Sequence, residues 1–331
     1  VNSSCNLRHP QRERFFFSHL AALIFSYMST APRFSRHEAA LLGTILIWGA
    51  NFPIFKGALV GLHPHLANAL RFVFAVTVLT GVYIYRVPQP WATFVYAVKR
   101  YGWTLFGLTM LGYVLYQLAF VMGVSRTSAG SAALLMATSP LWTALLGHIT
   151  RVERLPTRTW VGLMASMVGA MVVVGAAAGS AQDSVSGNIL MLAAAMLWGA
   201  YTVLSRPLLG KMSPVVISYI EIVMALPFLF LIALPYANWA TIQTIDLGTW
   251  GALIYSGALS IGVAFILWNA AVQKLGPGQT VIYANLTPFV ALLFSAWWLG
   301  EVIRPTQIVG GALIVSGLMY VKLTRSPLPR D

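Results

Sequence analysis

The chain repeats itself at a fixed distance, and this repetition limits its possible folds more than any other feature. From Ala129 the sequence reads AGSAALLMATSPLWTALLG, and from Pro277 it reads PGQTVIYANLTPFVALLFS. The segments align at an offset of 148 (278 − 130 for the glycines). The same offset pairs Arg126 with Lys274, Pro140 with Pro288, Glu153 with Glu301, Gly162 with Gly310 and Gly169 with Gly317. Earlier, Trp48-Gly49-Ala50 and Trp198-Gly199-Ala200 differ by 150 (198 − 48), as do Lys56 and Arg206. The change of two is a loop-length difference. Duplicated apolar halves are the plan of many secondary transporters, which hold substrate where the halves meet.

The composition fixes the solvent. With 58% hydrophobic and 9% charged residues, the chain is far from a soluble globule, which carries about 25% charged residues. Apolar stretches of bilayer-crossing length, about 20 residues, fall at 39–59, 66–86, 103–123, 127–147, 160–178, 187–207, 214–234, 248–271, 278–299 and 306–322. The expected fold is all-α and integral to the membrane: ten transmembrane helices as two inverted five-helix repeats around a central cavity. Five spans per copy is an odd number, so the second copy enters from the opposite side. The expected units are a leader (1–38), a first repeat (39–178), a second repeat (187–322) and a tail (323–331).

Basic loops resist translocation. With the amino terminus inside, Arg33, Arg36, Arg86, Lys99, Arg100, Arg151, Arg154, Arg158, Arg206, Lys211, Lys274, Lys322, Arg325 and Arg330 are cytoplasmic, against Lys56, Arg126 and Arg304 outside. Both termini are therefore expected in the cytoplasm and the protein in the cell inner membrane. The net charge of +13 follows from this asymmetry and from anionic headgroups, so no nucleic-acid partner is implied. The single cysteine, Cys5, cannot form an internal disulfide. In the leader, FFFSHLAALIFSYM could be read as a signal-peptide core, but the reading favoured is that Met28 is the native start.

Glycine and alanine recur at helical spacing, as in Gly107, Leu111 and Gly112, in Gly162, Ser166 and Gly169, and in Gly310, Gly311 and Gly317; close packing in lipid accounts for most of them. Pro140 and Pro288 each remove a donor in mid-span, and Ser139 and Thr287 are placed to satisfy the freed carbonyls. A kink at matched places suits either a cavity or static packing. Polar and aromatic residues inside the spans are Trp48 and Asn51, with Phe52; Tyr113, Tyr116 and Gln117; Trp198 and Tyr201; Trp268 and Asn269; and Tyr283 and Asn285. Apolar walls with a few polar groups make a small-molecule pocket, and these are the candidate substrate-binding residues. Tyr83, Tyr85, Trp103, Trp297 and Trp298 are read as interface anchors.

Arg71 and Glu221, 150 apart, are the strongly ionisable residues well inside spans, and such residues are functional candidates by default. Inversion places them at different depths, so no direct ion pair is expected. Arg71 either binds a substrate carboxylate or snorkels outward in a structural role, the second being favoured. Glu221 either carries a proton or is a gate residue. For Glu153 and Glu301, helix-end capping or loop pairing suffices.

Over about Ala39 to Lys322 the chain resembles the drug/metabolite transporter superfamily, in its EamA-type branch. The residues that carry the resemblance are WGANFP from Trp48, LRF around Arg71, TSAGSAALLMATSPLWTALLG followed by Glu153, and PGQTVIYANLTPFVALLFSAWWLGE ending at Glu301. The resemblance implies a ten-helix carrier with both termini inside, a cavity lined by spans one, three, four, six, eight and nine, and outward movement of small polar metabolites, notably amino acids.

The expected function is secondary transport of such a metabolite by alternating access, most simply amino-acid export. Aromatic faces would hold the substrate, Asn51, Gln117, Asn269 or Asn285 would read its polar ends, and Lys56 would draw in a carboxylate at the outer mouth. A multidrug or nucleotide-sugar cargo is the alternative. A membrane-embedded enzyme lacks support: there is no HExxH, no two-Asp site and no Ser/His pairing in the spans, and His63, His65 and His148 are not spaced as a ligand set. No cofactor or metal is expected. Proton coupling is left open, as is the choice between monomer and homodimer.

Overall fold

The computed structural model describes residues 36–150, 157–175 and 183–324. Most of the leader with Met28, Glu153, and the tail beyond 324 lie outside the described residues. Those described form helices and no strand, as expected where lipid offers the backbone no hydrogen bonds. The chain runs α1 (Arg36–Ala58), α2 (Pro64–Arg86), α3 (Pro90–Thr109), a π-helix π1 (Met110–Leu115), α4 (Tyr116–Arg126), α5 (Ala129–Met136), α6 (Ser139–Ile149), α7 (Thr157–Gly175), α8 (Val185–Leu204) and the short α9 (Arg206–Leu209). It continues through α10 (Pro214–Ala233), α11 (Trp239–Gln243), α12 (Leu247–Ile254), π2 (Tyr255–Val263), α13 (Ala264–Leu275), α14 (Pro277–Tyr283), α15 (Thr287–Trp298) and α16 (Pro305–Thr324). Among the described residues, seven helical runs are long and apolar enough to cross a bilayer: Ala39–Ala58, Pro64–Arg86, Pro90–Arg126, Ala129–Ile149, Val185–Leu209, Pro214–Tyr236 and Leu247–Leu275.

Local chemistry sets the helix starts. Proline opens α2, α3 and α10, where its missing N–H is no loss. Ser128, Ser184, Ser213 and Asp246 cap α5, α8, α10 and α12 with side-chain oxygens on backbone N–H groups, each worth about 1 kcal/mol.

Several sequence expectations change. The third span begins at Pro90, not 103, because its leading segment is helical up to a kink at Tyr101 (φ −128°, ψ 16°). This run and Leu247–Leu275 each contain a π segment, and the two segments correspond under the offset (110 + 148 = 258). The α-helices of the fourth and ninth spans are interrupted at the expected kinks. Helix α5 ends at Met136 and α6 restarts with Pro140 in its first turn; α14 and α15 are separated by a 3₁₀ turn, Ala284–Leu286. Ser139 Oγ donates to Met136 O, the carbonyl that Pro140 leaves without a helical donor. At the second break the Thr287 N–H reaches Ala284 O, and the Thr287 hydroxyl is not used for this. Tyr83 is no interface anchor: it is 2% exposed, stacks on Tyr219 with ring centres 4.1 Å apart and donates to Pro90 O. Tyr85, Trp103, Trp297 and Trp298 are exposed.

Glycines mark where helix axes come closest. A Cβ on Gly49 would lie 2.5 Å from Val290 Cβ and 3.1 Å from Thr287 O; one on Gly199 would lie 2.8 Å from Trp142 Cβ and 3.0 Å from Ser139 O. These are equivalent contacts, since 49 corresponds to 199, 287 to 139 and 290 to 142. Each Trp-Gly-Ala helix therefore leans on the proline break of the opposite copy. Helices α7 and α16 cross likewise: Gly310 meets Gly169, and Gly317 meets Gly162, although by sequence 310 corresponds to 162 and 317 to 169. Residue i thus touches the equivalent of j while j touches the equivalent of i, the reciprocity a two-fold relation requires.

Gly199→Ala and Gly169→Ala should each lower stability by about 1–3 kcal/mol through overpacking. Gly81→Ala, with nothing within 4 Å of the added Cβ, should be neutral or stabilising by about 0.5–1 kcal/mol. Thermal unfolding in detergent would show the difference, and equal melting temperatures in all three variants would contradict it.

Candidate functional site

Helices α1, α2, α4, α5, α6, α8 and α13, with π2 and the 284–287 turn, surround a central cavity. Its volume is about 60 Å³, room for a few waters. Its wall contains Trp48, Asn51, Arg71, Tyr116, Gln117 and Trp198, all singled out by the sequence. The Trp-Gly-Ala contacts explain part of this: bringing α1 and α8 against the proline breaks places Trp48 and Trp198 edge to face, with ring centres 5.5 Å apart. The Trp48 indole is fixed by donating to Ser260 O in π2, 2.9 Å away. Trp198 also packs on Tyr116 (5.1 Å), Phe265 (5.0 Å) and Tyr201 (5.3 Å).

Arg71 does not snorkel. It is 1% exposed, and its guanidinium lies 4.1 Å over the Phe55 ring and 5.5 Å from that of Phe120. Nε donates to Asn68 Oδ1 (3.0 Å), Nη1 to Ser256 Oγ (3.0 Å) and Nη2 to Gln117 Oε1. Among the described residues the ion pairs are Lys56 with Glu301 and Arg304 with Asp183, so no carboxylate there pairs with Arg71.

Glu221 occupies a different cluster, outside the cavity wall. The Tyr201 hydroxyl donates to its Oε2 (2.8 Å), and Asn269 Nδ2 donates to the Tyr201 hydroxyl (3.0 Å) and to Ser218 Oγ (2.9 Å). Tyr113 is buried beside them. Tyr113, Tyr201, Trp268 and Asn269 thus lie around or behind the aromatic wall, not on the cavity surface. Tyr283 is half-buried away from the cavity wall, and the Asn285 side chain lies outside the description. Pro140 and Pro288 stand just past the two breaks. Sequence reasoning missed Phe120, Met136, Ser260 and Phe265 in the wall. Phe120 follows Tyr116 and Gln117 by four and three residues, so helical spacing would have found it. Ser260 and Phe265 depend on π2, which has no comparable sequence mark.

Beyond Phe52 and Phe120, loops separated widely in sequence meet in a polar lock. Glu301 caps a helix other than its own: it accepts from the Ala129 N–H (3.0 Å) and the Gly130 N–H (3.3 Å) at the start of α5, and pairs with Lys56 Nζ at 3.6 Å. Lys56 also donates to Thr127 O, so it is engaged in this lock and does not stand at an open mouth. Asp183 accepts from the Ser128 N–H (2.6 Å), the Thr127 hydroxyl (2.7 Å) and Arg304 (3.2 Å), while Gln307 Nε2 donates to Ser128 Oγ and Ser131 Oγ. Burial alone would push the Asp183 carboxyl up; the Ser128 N–H, the Thr127 and Ser128 hydroxyls and Arg304 outweigh it and hold the group below its ordinary value.

An apolar helical bundle around a cavity studded with aromatic and polar side chains is the plan of a membrane transport protein. The sequence matches the EamA-like transporter family twice, over residues 36–175 and 185–323, and the chain belongs to that family; its members are transporters and not enzymes. It is 28% identical over 292 residues to a probable terminal-alkyne amino-acid exporter of Streptantibioticus cattleyicolor, covering 87% of this chain and 94% of that one. It is 27% identical to a probable amino-acid metabolite efflux pump of Salmonella typhimurium (86% and 94% covered) and 23% identical to the uncharacterized transporter YyaM of Bacillus subtilis (84% and 91%). One solved crystal structure covers 87% of this chain and 97% of its own with a TM-score of 0.62 at 21% identity, a likeness of fold alone.

Because its folded value is depressed, Asp183 stabilises the lock at pH above the unfolded carboxylate value of about 3.9, and that contribution is lost as pH falls through the folded value. Asp183→Asn should therefore destabilise the protein at neutral pH and flatten the acid limb of its stability profile. Thermal unfolding at several pH values would test this, and an unchanged acid limb would be the contrary result.

Proposed function

We propose that the protein is a secondary transporter that exports amino acids or their derivatives across the bacterial inner membrane by alternating access. In this reading it has ten spans arranged as two inverted repeats, with both termini in the cytoplasm. The observation that carries it is the cavity: indole and phenol faces around a small space, with Arg71, Asn51 and Gln117 on its wall. A cation over such rings gains about 0.5–2 kcal/mol, suited to weak binding and release. The printed names of the Streptantibioticus and Salmonella relatives support the amino-acid class. The small cavity and its single buried cation weigh against a nucleotide sugar.

Topology has independent support. The segments assigned to the outside by charge, after spans one, three, five and nine, are those that meet in the Lys56–Glu301–Asp183–Arg304 lock. Segments assigned inside also converge: Gln273 donates to Leu209 O (2.6 Å), and Lys211 sits 5.6 Å over Tyr101. The reciprocal glycine contacts fit a two-fold axis between the halves. In this reading the lock closes the outer side, and export requires it to open. Glu221, buried with Tyr201 and Asn269 behind Trp198, is the proposed coupling group: protonation would remove the charge that strengthens the Tyr201 hydrogen bond to its Oε2 and alter the packing next to the cavity wall. The carrier works as a monomer or as a homodimer of independent cavities.

Reconstituted protein should take up a radiolabelled amino acid saturably, and Trp48→Ala or Trp198→Ala should lower uptake at low substrate by about two- to thirty-fold without loss of folded protein. Unchanged rates in both would reject this pocket. In Glu221→Gln, uptake should no longer respond to an imposed pH gradient; a response equal to wild type would remove Glu221 from the coupling role.

A further inference from the structure

We infer that Arg71 is the anchor for the substrate's carboxylate, and that Asn51 and Thr287 receive its ammonium group, so that the transported species is a free zwitterion. This rests on the amino-acid reading above and narrows it.

Arg71 lines the cavity and is 1% exposed, at a depth where an unpaired cation is costly. Its neighbours are neutral: Asn68, Ser256 and Gln117 as acceptors, Phe55 and Phe120 as faces. Arginine carries five N–H donors. The three contacts use one on Nε and one on each terminal nitrogen, which leaves one on each terminal nitrogen. A carboxylate with two oxygens can take a donor from each terminal nitrogen of one guanidinium. The ring contacts and hydrogen bonds come from α1, α2, α4 and π2, so the plane of the fork is set before substrate arrives, and less freedom is lost on binding. A merely structural arginine would be expected to be paired or turned toward an aqueous surface.

The opposite chemistry lies on the same wall. Asn51 Oδ1 and Thr287 Oγ1 are buried and without a hydrogen-bond partner among the described residues, and both residues line the cavity. Both the amide oxygen and the hydroxyl oxygen can accept, and polar atoms left bare in a closed site are costly unless a ligand donor completes them. An ammonium supplies up to three donors, and the Trp48, Tyr116 and Trp198 rings beside it add cation-attracting faces. A cation with two free donors and a pair of bare acceptors in one small cavity match the two ends of an α-amino acid. An amine or an amino-acid amide would leave Arg71 unpaired.

The test is competition against uptake of a transported amino acid in proteoliposomes, using the same amino acid as free acid, as amide and as decarboxylated amine, on wild type and on Arg71→Lys. The free acid should compete at least ten-fold more strongly than amide or amine on wild type, as expected for loss of charge-assisted bonds. Arg71→Lys, which keeps the charge but not the fork, should lose most of that preference. Amide or amine competing as well as the acid would overturn the anchor while the carrier reading stands, and this arm needs no variant to fold. Full discrimination retained in Arg71→Lys would also overturn it. Absence of saturable uptake of any amino acid by folded wild type would overturn the amino-acid reading and the anchor with it.

Discussion

The structure depends on two close approaches of helix to helix. At each, a glycine after a tryptophan lies against the backbone of a proline break in the opposite copy: Gly49 on Thr287 and Val290, Gly199 on Ser139 and Trp142. Helices in lipid gain nothing from hiding apolar surface from one another, because the tails are equally apolar; they associate where small residues let backbones touch. The break supplies the other half of the fit. A proline removes one helical hydrogen bond, and the chain resolves the freed carbonyl locally, as Ser139 does for Met136. The axis can then bend around a space without leaving polar backbone in lipid. The cavity is what remains between these crossings.

Its chemistry follows from placement. The tryptophans preceding the two glycines are carried inward by the same approach, so tight packing and aromatic lining come from one motif. Arg71 and Glu221, at equivalent places in the two copies, become unlike sites. Arg71 faces the cavity among neutral partners, and Glu221 is enclosed by Tyr201, Asn269 and the Tyr113 side of the bundle. The two equivalent positions thus carry charges of opposite sign in different environments. The polar lock adds a third element, in which Glu301 caps the start of α5 and ties the end of one half to the interior of the other.

Much of this was legible beforehand. The apolar stretches located the helices because hydrocarbon demands long, internally bonded segments. Trp48, Asn51, Tyr116, Gln117 and Trp198 were recognisable because polar or amphipathic groups in such segments need a reason to be there. The failures have physical causes too. Tyr83 looked like an interface anchor because aromatic residues at helix ends usually are, but its partner Tyr219 lies on another helix. Of the two readings of Arg71, outward snorkelling was favoured because its long side chain normally allows it, whereas the rings of Phe55 and Phe120, with Asn68 on its own helix and Gln117 and Ser256 from distant segments, make a buried position tenable. Lys56 was expected to draw in a carboxylate at the outer mouth because its partners are distant in sequence.

By itself, the sequence determined that this chain lies in a membrane, that it is helical and duplicated, and which few side chains inside the helices required an explanation. Those conclusions rest on local and periodic properties: hydropathy, backbone hydrogen bonding and the recurrence of Gly and Pro at a fixed offset. Tertiary structure decided which of those side chains share a cavity, that Tyr113, Tyr201, Trp268 and Asn269 stand off its surface, and that Glu301 caps a helix more than 170 residues away. It also placed the π segments, whose wider turns orient Ser256 and Ser260 toward Arg71 and Trp48. Such outcomes depend on the rotation and crossing of helices about their axes, fixed by side-chain fit between distant segments, and one segment's composition does not encode its partner's position.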